Sequence, residues 1–108
     1  MSYPSAYHIS RLDRLMHEPA RLMIVALLAS VAQADFTAIV HLTGLSRGNV
    51  SIQLTKLEAA GYIRIEKIFR GKMPCTMCAL TEQGQNAYQQ YCTTVQELFA
   101  TANASSAP

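Results

Sequence analysis

Two short helical patterns, each closed by a glycine and joined almost without a spacer, constrain this chain more than any other feature. Asp35 opens the first as an N-cap, Phe36, Ile39 and Val40 form its apolar stripe, and Gly44 ends it. Ser46 caps the second, Val50, Leu54 and Leu57 recur at i, i+4 and i+7, and Gly61 ends it in the same way. Two amphipathic helices separated by a Gly-containing turn of about three residues predict a helix-turn-helix. Each presents only one apolar stripe, so the rest of the chain must supply the surface that covers both.

The flanking segments supply it. Ile9, Leu12, Leu15 and Met16 have the spacing of one helical face, which predicts a first helix there. Glu18-Pro19 breaks the chain, and Pro19 to about Ala32 reads as a helix apolar nearly all round, hence buried on most sides. From Tyr62 the period changes: Ile63 and Ile65 alternate with Arg64 and Glu66, which is strand spacing. Arg70-Gly71-Lys72-Met73-Pro74 is turn-like and Cys75 to Leu80 reads as a second strand. Thr81 then caps a last helix whose Tyr88, Tyr91, Val95, Leu98 and Phe99 share one side. A two-stranded hairpin is marginal alone and must pack on the helices. The expected fold is therefore mainly α with a two-stranded β-hairpin, a winged helix-turn-helix. It forms one domain over residues 9–102, with 1–8 and 103–108 as flexible termini.

The run from Leu22 to Ala34 resembles the apolar region of a signal peptide. It begins far into the chain, behind Asp13 and Glu18, and opens on Pro19 like a helix N1 residue. It also falls short of the roughly 20 apolar residues a membrane span needs. A buried core helix is the reading adopted; a secreted product cut after Ala34 is the remote alternative. Of the chain's 108 residues only 15% are charged and half are apolar. So few charges on so small a chain predict that part of the apolar surface is covered by a second copy.

The net charge of +2 does not signal nucleic acid, but its distribution does. Arg64, Lys67, Arg70 and Lys72 cluster in the hairpin against the single acid Glu66, while Thr81 to Pro108 carries only Glu82 and Glu97. On the helix after Ser46, Gly48, Asn49, Ile52 and Lys56 project opposite the apolar stripe, with Ser51 and Gln53 flanking and Arg47 in the first turn. A helix in the major groove needs an apolar inner face and an outer face of short polar groups. Ser46, Arg47, Asn49, Ser51, Ile52, Gln53 and Lys56 are thus the expected DNA contacts on the helix. Arg64, Lys67, Arg70 and Lys72 are the expected phosphate contacts on the wing. Ile52 is an apolar outward group, suited to a thymine methyl or equally to half-burial against a neighbour. Ile9, Leu12, Leu15 and Met16, with Tyr88, Tyr91, Val95, Leu98 and Phe99, form the expected dimer interface.

Leu45 to Ile63, with Glu18-Pro19-Ala20-Arg21 upstream and Gly71-Lys72-Met73-Pro74 to Leu80-Thr81-Glu82-Gln83-Gly84 downstream, resembles MarR/ArsR-like winged-helix transcriptional regulators. The resemblance covers roughly residues 10 to 90 and implies a homodimer on a pseudo-palindromic site, with the terminal helices as its interface. It departs on the second wing strand, where Cys75, Cys78 and Ala79 stand in place of basic and aromatic residues.

Other chemistry is not indicated. No nucleophile–base–acid set, phosphate loop or paired acids appear, so no enzyme is expected. Cys75-x-x-Cys78 on a strand points its sulfurs to opposite faces and lacks a second ligand pair, so no metal site or cofactor is expected. A redox role for Cys75 or Cys92 would need an exposed thiol of lowered pKa. The odd cysteine count argues against a disulfide framework and for the cytoplasm. His8, His17 and His41 are scattered. The expected partners are double-stranded DNA and a second copy, with no membrane and no recognisable effector site. The competing reading is a winged-helix adaptor that binds protein instead of DNA.

Overall fold

The computed structural model describes residues 9–106, with side chains through residue 103. Helix α1 (Pro19–Ala29) starts with proline at its first turn, and the Glu18 carboxylate accepts from the Arg21 N–H at 2.7 Å. It buries Ala20, Ile24, Val25 and Leu28. It stops at Ala29, earlier than its apolar run suggests, where the Ser30 hydroxyl donates to the Leu27 carbonyl at 2.7 Å. Asp35 ends strand β1 (Ala34–Asp35) and caps helix α2 (Phe36–Thr43) by accepting from the Ala38 N–H at 2.7 Å. Gly44 closes α2 at φ 73°, in the left-handed region where a Cβ is penalised. Helix α3 (Arg47–Ala59) follows, capped by Ser46, whose Oγ accepts from the Asn49 N–H at 3.1 Å. Strands β2 (Ile63–Arg70) and β3 (Met73–Leu80) form the hairpin, and helix α4 (Glu82–Ser106) closes the chain.

The sheet has three antiparallel strands in the order β1-β3-β2, not the two expected. Ala34 pairs with Cys78 and Asp35 with Met77, tying the start of α2 to the wing. Gly71 at φ 63° leads a two-residue hairpin turn, so the strands extend further than the turn-like run 70–74 suggests.

The predicted helix at Ile9 to Met16 is not formed. Helical structure ends at Ser10, and residues 11–18 are turns. The reason is Asp13: its Oδ1 accepts from the N–H groups of Leu15 and Met16 at 2.9 and 3.2 Å, offering the backbone a partner that a helix would have to replace. Its other oxygen takes the Tyr62 hydroxyl, fixing the turn to the start of the wing. The turn drives Met16 into the core, where it is wholly buried with Ile24, Val25, Leu28, Ile39, Val50, Leu54, Leu57, Ile63, Cys78 and Tyr91. Each fully buried Ile or Leu of this set contributes roughly 1.5–3 kcal/mol. The expected loose tail at 103–108 is helical through Ser106. Residues 1–8 and 107–108 lie outside the described residues. Among the described residues no helix is long and apolar enough to cross a membrane.

Candidate nucleic-acid interface

Helix α3 divides as its sequence dictates. Val50, Leu54 and Leu57 are buried, while Ser46, Arg47, Gly48, Ser51, Ile52, Thr55 and Lys56 are exposed. Ile52 is 56% exposed, so it is not half-buried against a neighbour but open to solvent. Arg47 lies over the ring of Phe36, its guanidinium carbon 4.8 Å from the centroid, so the first turn of α2 carries the first cation of α3.

Gln53, expected on the outer face, is turned inward. It is only 9% exposed. Its Oε1 accepts from Arg21 Nη1 at 2.9 Å, and its Nε2 donates to Asn49 Oδ1 at 2.9 Å. Both ends of the Gln53 amide are thus engaged within the chain. Asn49 remains half-buried at the rim. Arg21 is in turn held by the Leu15 carbonyl, which accepts from its Nε at 2.7 Å, and lies 3.9 Å from the Glu18 carboxylate. The bond from the Arg21 N–H, ahead of the nearby cations, holds the Glu18 carboxyl below its usual range.

The wing separates its four cations by strand alternation. A groove between α3 and the sheet is lined by Phe36, Arg47, Ser51, Thr55, Ile65 and Thr76. Lys67 lies opposite Thr76 and shares the face of Ile65, which is the groove face. Arg64 and Arg70 share the other face with Glu66. Arg64 Nε pairs with Glu66 Oε1 at 3.2 Å, and Arg70 Nη1 with Asp35 Oδ2 at 3.3 Å. Lys72 sits in the turn. Among the described residues, Lys67 and Lys72 are therefore the wing cations without a carboxylate partner.

The wing sulfurs diverge as the strand spacing requires. Cys78 is in the core, and burial pushes its thiol up to about 11. Cys75 lies on the other face, its Sγ 3.7 Å from Met77 Sδ.

The residues expected at a dimer interface split. Met16 and Tyr91 are used inside one chain, at 0% and 7% exposure. Leu12, Leu15, Tyr88 and Val95 pack partly against the same core, and Leu98 is half-buried. Ile9 and Phe99 are open, at 63% and 61%. Tyr88, Cys92 and Val95 of α4 face Leu22 and Ala26 of α1 across a shallow apolar groove.

A model of the winged helix DNA-binding domain matches residues 20–99. The chain belongs to that family. An uncharacterized protein of Methanocaldococcus jannaschii is 27% identical over 79 residues, 72% of this chain and 85% of the relative. The structure of a transcriptional regulator homologue from Pyrococcus horikoshii superposes with a TM-score of 0.78 at 22% identity, over 82% of this chain and 87% of that one. MarR of Staphylococcus aureus, solved with salicylate and kanamycin, gives 0.68 at 21% identity, over 84% of this chain and 59% of that one. These winged helices share the fold, a helix-turn-helix of α2 and α3 followed by the β2–β3 wing. The family is defined by DNA binding, not by catalysis.

Sequence reasoning missed Phe36 as a platform for Arg47, because its spacing marked it as core. It missed Arg21 as well, because its partner Gln53 is distant in the chain.

Proposed function

We propose that this winged helix is a cytoplasmic transcriptional regulator that binds duplex DNA sequence-specifically as a homodimer. In this reading α3 enters the major groove with Ser46, Arg47, Asn49, Ser51, Ile52 and Lys56 as its contacts. Lys67 and Lys72 hold phosphates, and Arg64 and Arg70 add to them when their surface ion pairs, each worth little in water, exchange for phosphate. One observation carries the reading: the exposed short-chain face of α3 and the unpaired cation Lys67 border the same groove. Arg47 and Lys56 are the only basic groups on α3, so affinity must rest heavily on the wing and on having two copies. The open Phe99 and Met23, beside the apolar groove of α1 and α4, support pairing of two chains there. The test is a double substitution, Arg47→Ala with Lys72→Ala, assayed on duplexes selected from the source genome at moderate salt. Binding weaker by at least about tenfold is expected; unchanged affinity overturns the proposal and favours a protein-binding winged helix.

A further inference from the structure

We infer that Arg21, acting through Gln53, sets which hydrogen-bonding group Asn49 presents to DNA, and so fixes base preference from outside the interface. The inference rests on the DNA-reading role of α3.

One chain of hydrogen bonds links Arg21 to Asn49 through Gln53. A guanidinium has donors only. Arg21 Nη1, 2.9 Å from Gln53, can therefore be satisfied only by Oε1. Gln53 then has only its amino group for the other side, so Nε2 donates to Asn49 at 2.9 Å. Asn49 must answer with Oδ1, which leaves Nδ2 as its outward group. Arg21 itself is anchored by the Leu15 carbonyl at 2.7 Å and by Glu18. With the Arg21 side chain 12% exposed and Gln53 9% exposed, reversing Gln53 would aim an amino group at a guanidinium in a site poor in water. The polarity of the relay is thus dictated by one residue of α1. Arg21 and Gln53 are positioning residues; Asn49 is the one that touches the base.

The consequence is a donor code. In the major groove guanine offers O6 and N7, thymine offers O4, and cytosine offers the N4 donor. An outward Nδ2 favours guanine or thymine over cytosine at one base pair. Gln53→Glu reverses the relay: a carboxylate still accepts from Arg21, but it also accepts from its other neighbour. Asn49 then turns over, donates Nδ2 inward and presents Oδ1, which accepts from cytosine. Arg21→Gln removes the imposed polarity, because an amide satisfies Gln53 in either orientation.

The experiment selects bound duplexes from a randomised pool with the full chain, the three single variants below, and thermal unfolding to confirm that each is folded. Asn49→Ala identifies the position read, by erasing its preference. There the wild type is expected to favour guanine or thymine over cytosine by about tenfold. Gln53→Glu is expected to invert that ratio, and Arg21→Gln to relax it, with the remaining positions and the salt dependence kept. Side-chain amide exchange by NMR gives a readout independent of both DNA and the variants: Gln53 Nε2 hydrogens should be protected and Asn49 Nδ2 hydrogens fast. A folded Gln53→Glu protein that keeps the wild-type preference, or the opposite exchange ranking, overturns the relay while leaving DNA binding intact. A wild-type chain that prefers no duplex and binds none at low salt overturns the DNA reading, and the relay with it.

Discussion

Replacing either of two helical glycines by alanine should move stability in opposite directions, because only one of them faces another part of the chain. A Gly-to-Ala change in an open helix gains roughly 1 kcal/mol. At Gly48 a Cβ would have nothing within 4 Å, so Gly48→Ala should gain most of that. At Gly84 the same Cβ would sit 2.0 Å from the Tyr62 carbonyl oxygen, 2.8 Å from its carbon and 3.0 Å from Cα. These are backbone atoms, and they are held. Thr81 N–H donates to the Tyr62 carbonyl at 3.0 Å, and the Thr81 hydroxyl donates to the Gly61 carbonyl at 2.6 Å while accepting from Gly84 N–H at 3.0 Å. Reaching an ordinary carbon–oxygen contact of about 3.3 Å moves the start of α4 by more than about 1 Å. Overpacking typically costs about 1–3 kcal/mol, and a 2.0 Å contact with held backbone belongs at the upper end, about 3 kcal/mol, against the roughly 1 kcal/mol gained in propensity. Net loss of about 2 kcal/mol lowers Tm by about 10 °C, and the gain at Gly48 raises it by a few degrees. Thermal unfolding of both variants at one protein concentration checks this. A Gly84→Ala protein as stable as wild type would refute the claim that α4 is seated directly on the backbone at the end of α3.

The other expectations use separate parts of the molecule. In the folded protein at pH 8, a thiol reagent should label Cys75 but spare Cys78, which is buried and raised to about 11; equal labelling of the two would place Cys78 outside the core. Burial, and then the bond to Asp13, pushes the Tyr62 hydroxyl up to about 12 from 10, so the folded state favours its neutral form. That contribution is whole below pH 10 and fades as pH rises toward 12, so urea unfolding of Tyr62→Phe should lose stability less steeply across this window; an unchanged slope would discount the bond. Phe99→Asp should shift the chain from dimer to monomer in sedimentation at micromolar concentration without unfolding it, and an unaltered mass would exclude α4 from the interface.

The parts legible in the sequence are those set locally. Ser46, Asp35 and Thr81 cap as their positions suggest, Gly44 and Gly61 take positive φ, and Val50, Leu54 and Leu57 are buried because helical spacing allows nothing else. What stayed hidden depends on distant partners. Strand β1 is two residues long with no propensity signal, and exists because Cys78 and Met77 offer it a free edge. The segment Ile9–Met16 has a helical face by spacing, but Asp13 competes for its backbone and Tyr62 rewards that choice. Gln53 looks like a surface residue until Arg21, 32 positions away, supplies its partner. At the wing, alternation alone already separates Lys67 from Arg64 and Arg70, whereas the pairing of Arg70 with Asp35 required the third strand.

The central claim, that this winged helix binds duplex DNA through α3 and the groove face of its wing, is tested most directly by titrating a labelled random-sequence duplex across salt concentrations. Salt-sensitive binding is predicted. Lys67→Ala and Lys72→Ala should each flatten the slope of log K against log salt by about one per copy, and Arg64→Ala, already paired with Glu66, by less. Absence of binding at low salt, or a slope that ignores both lysines, would contradict it.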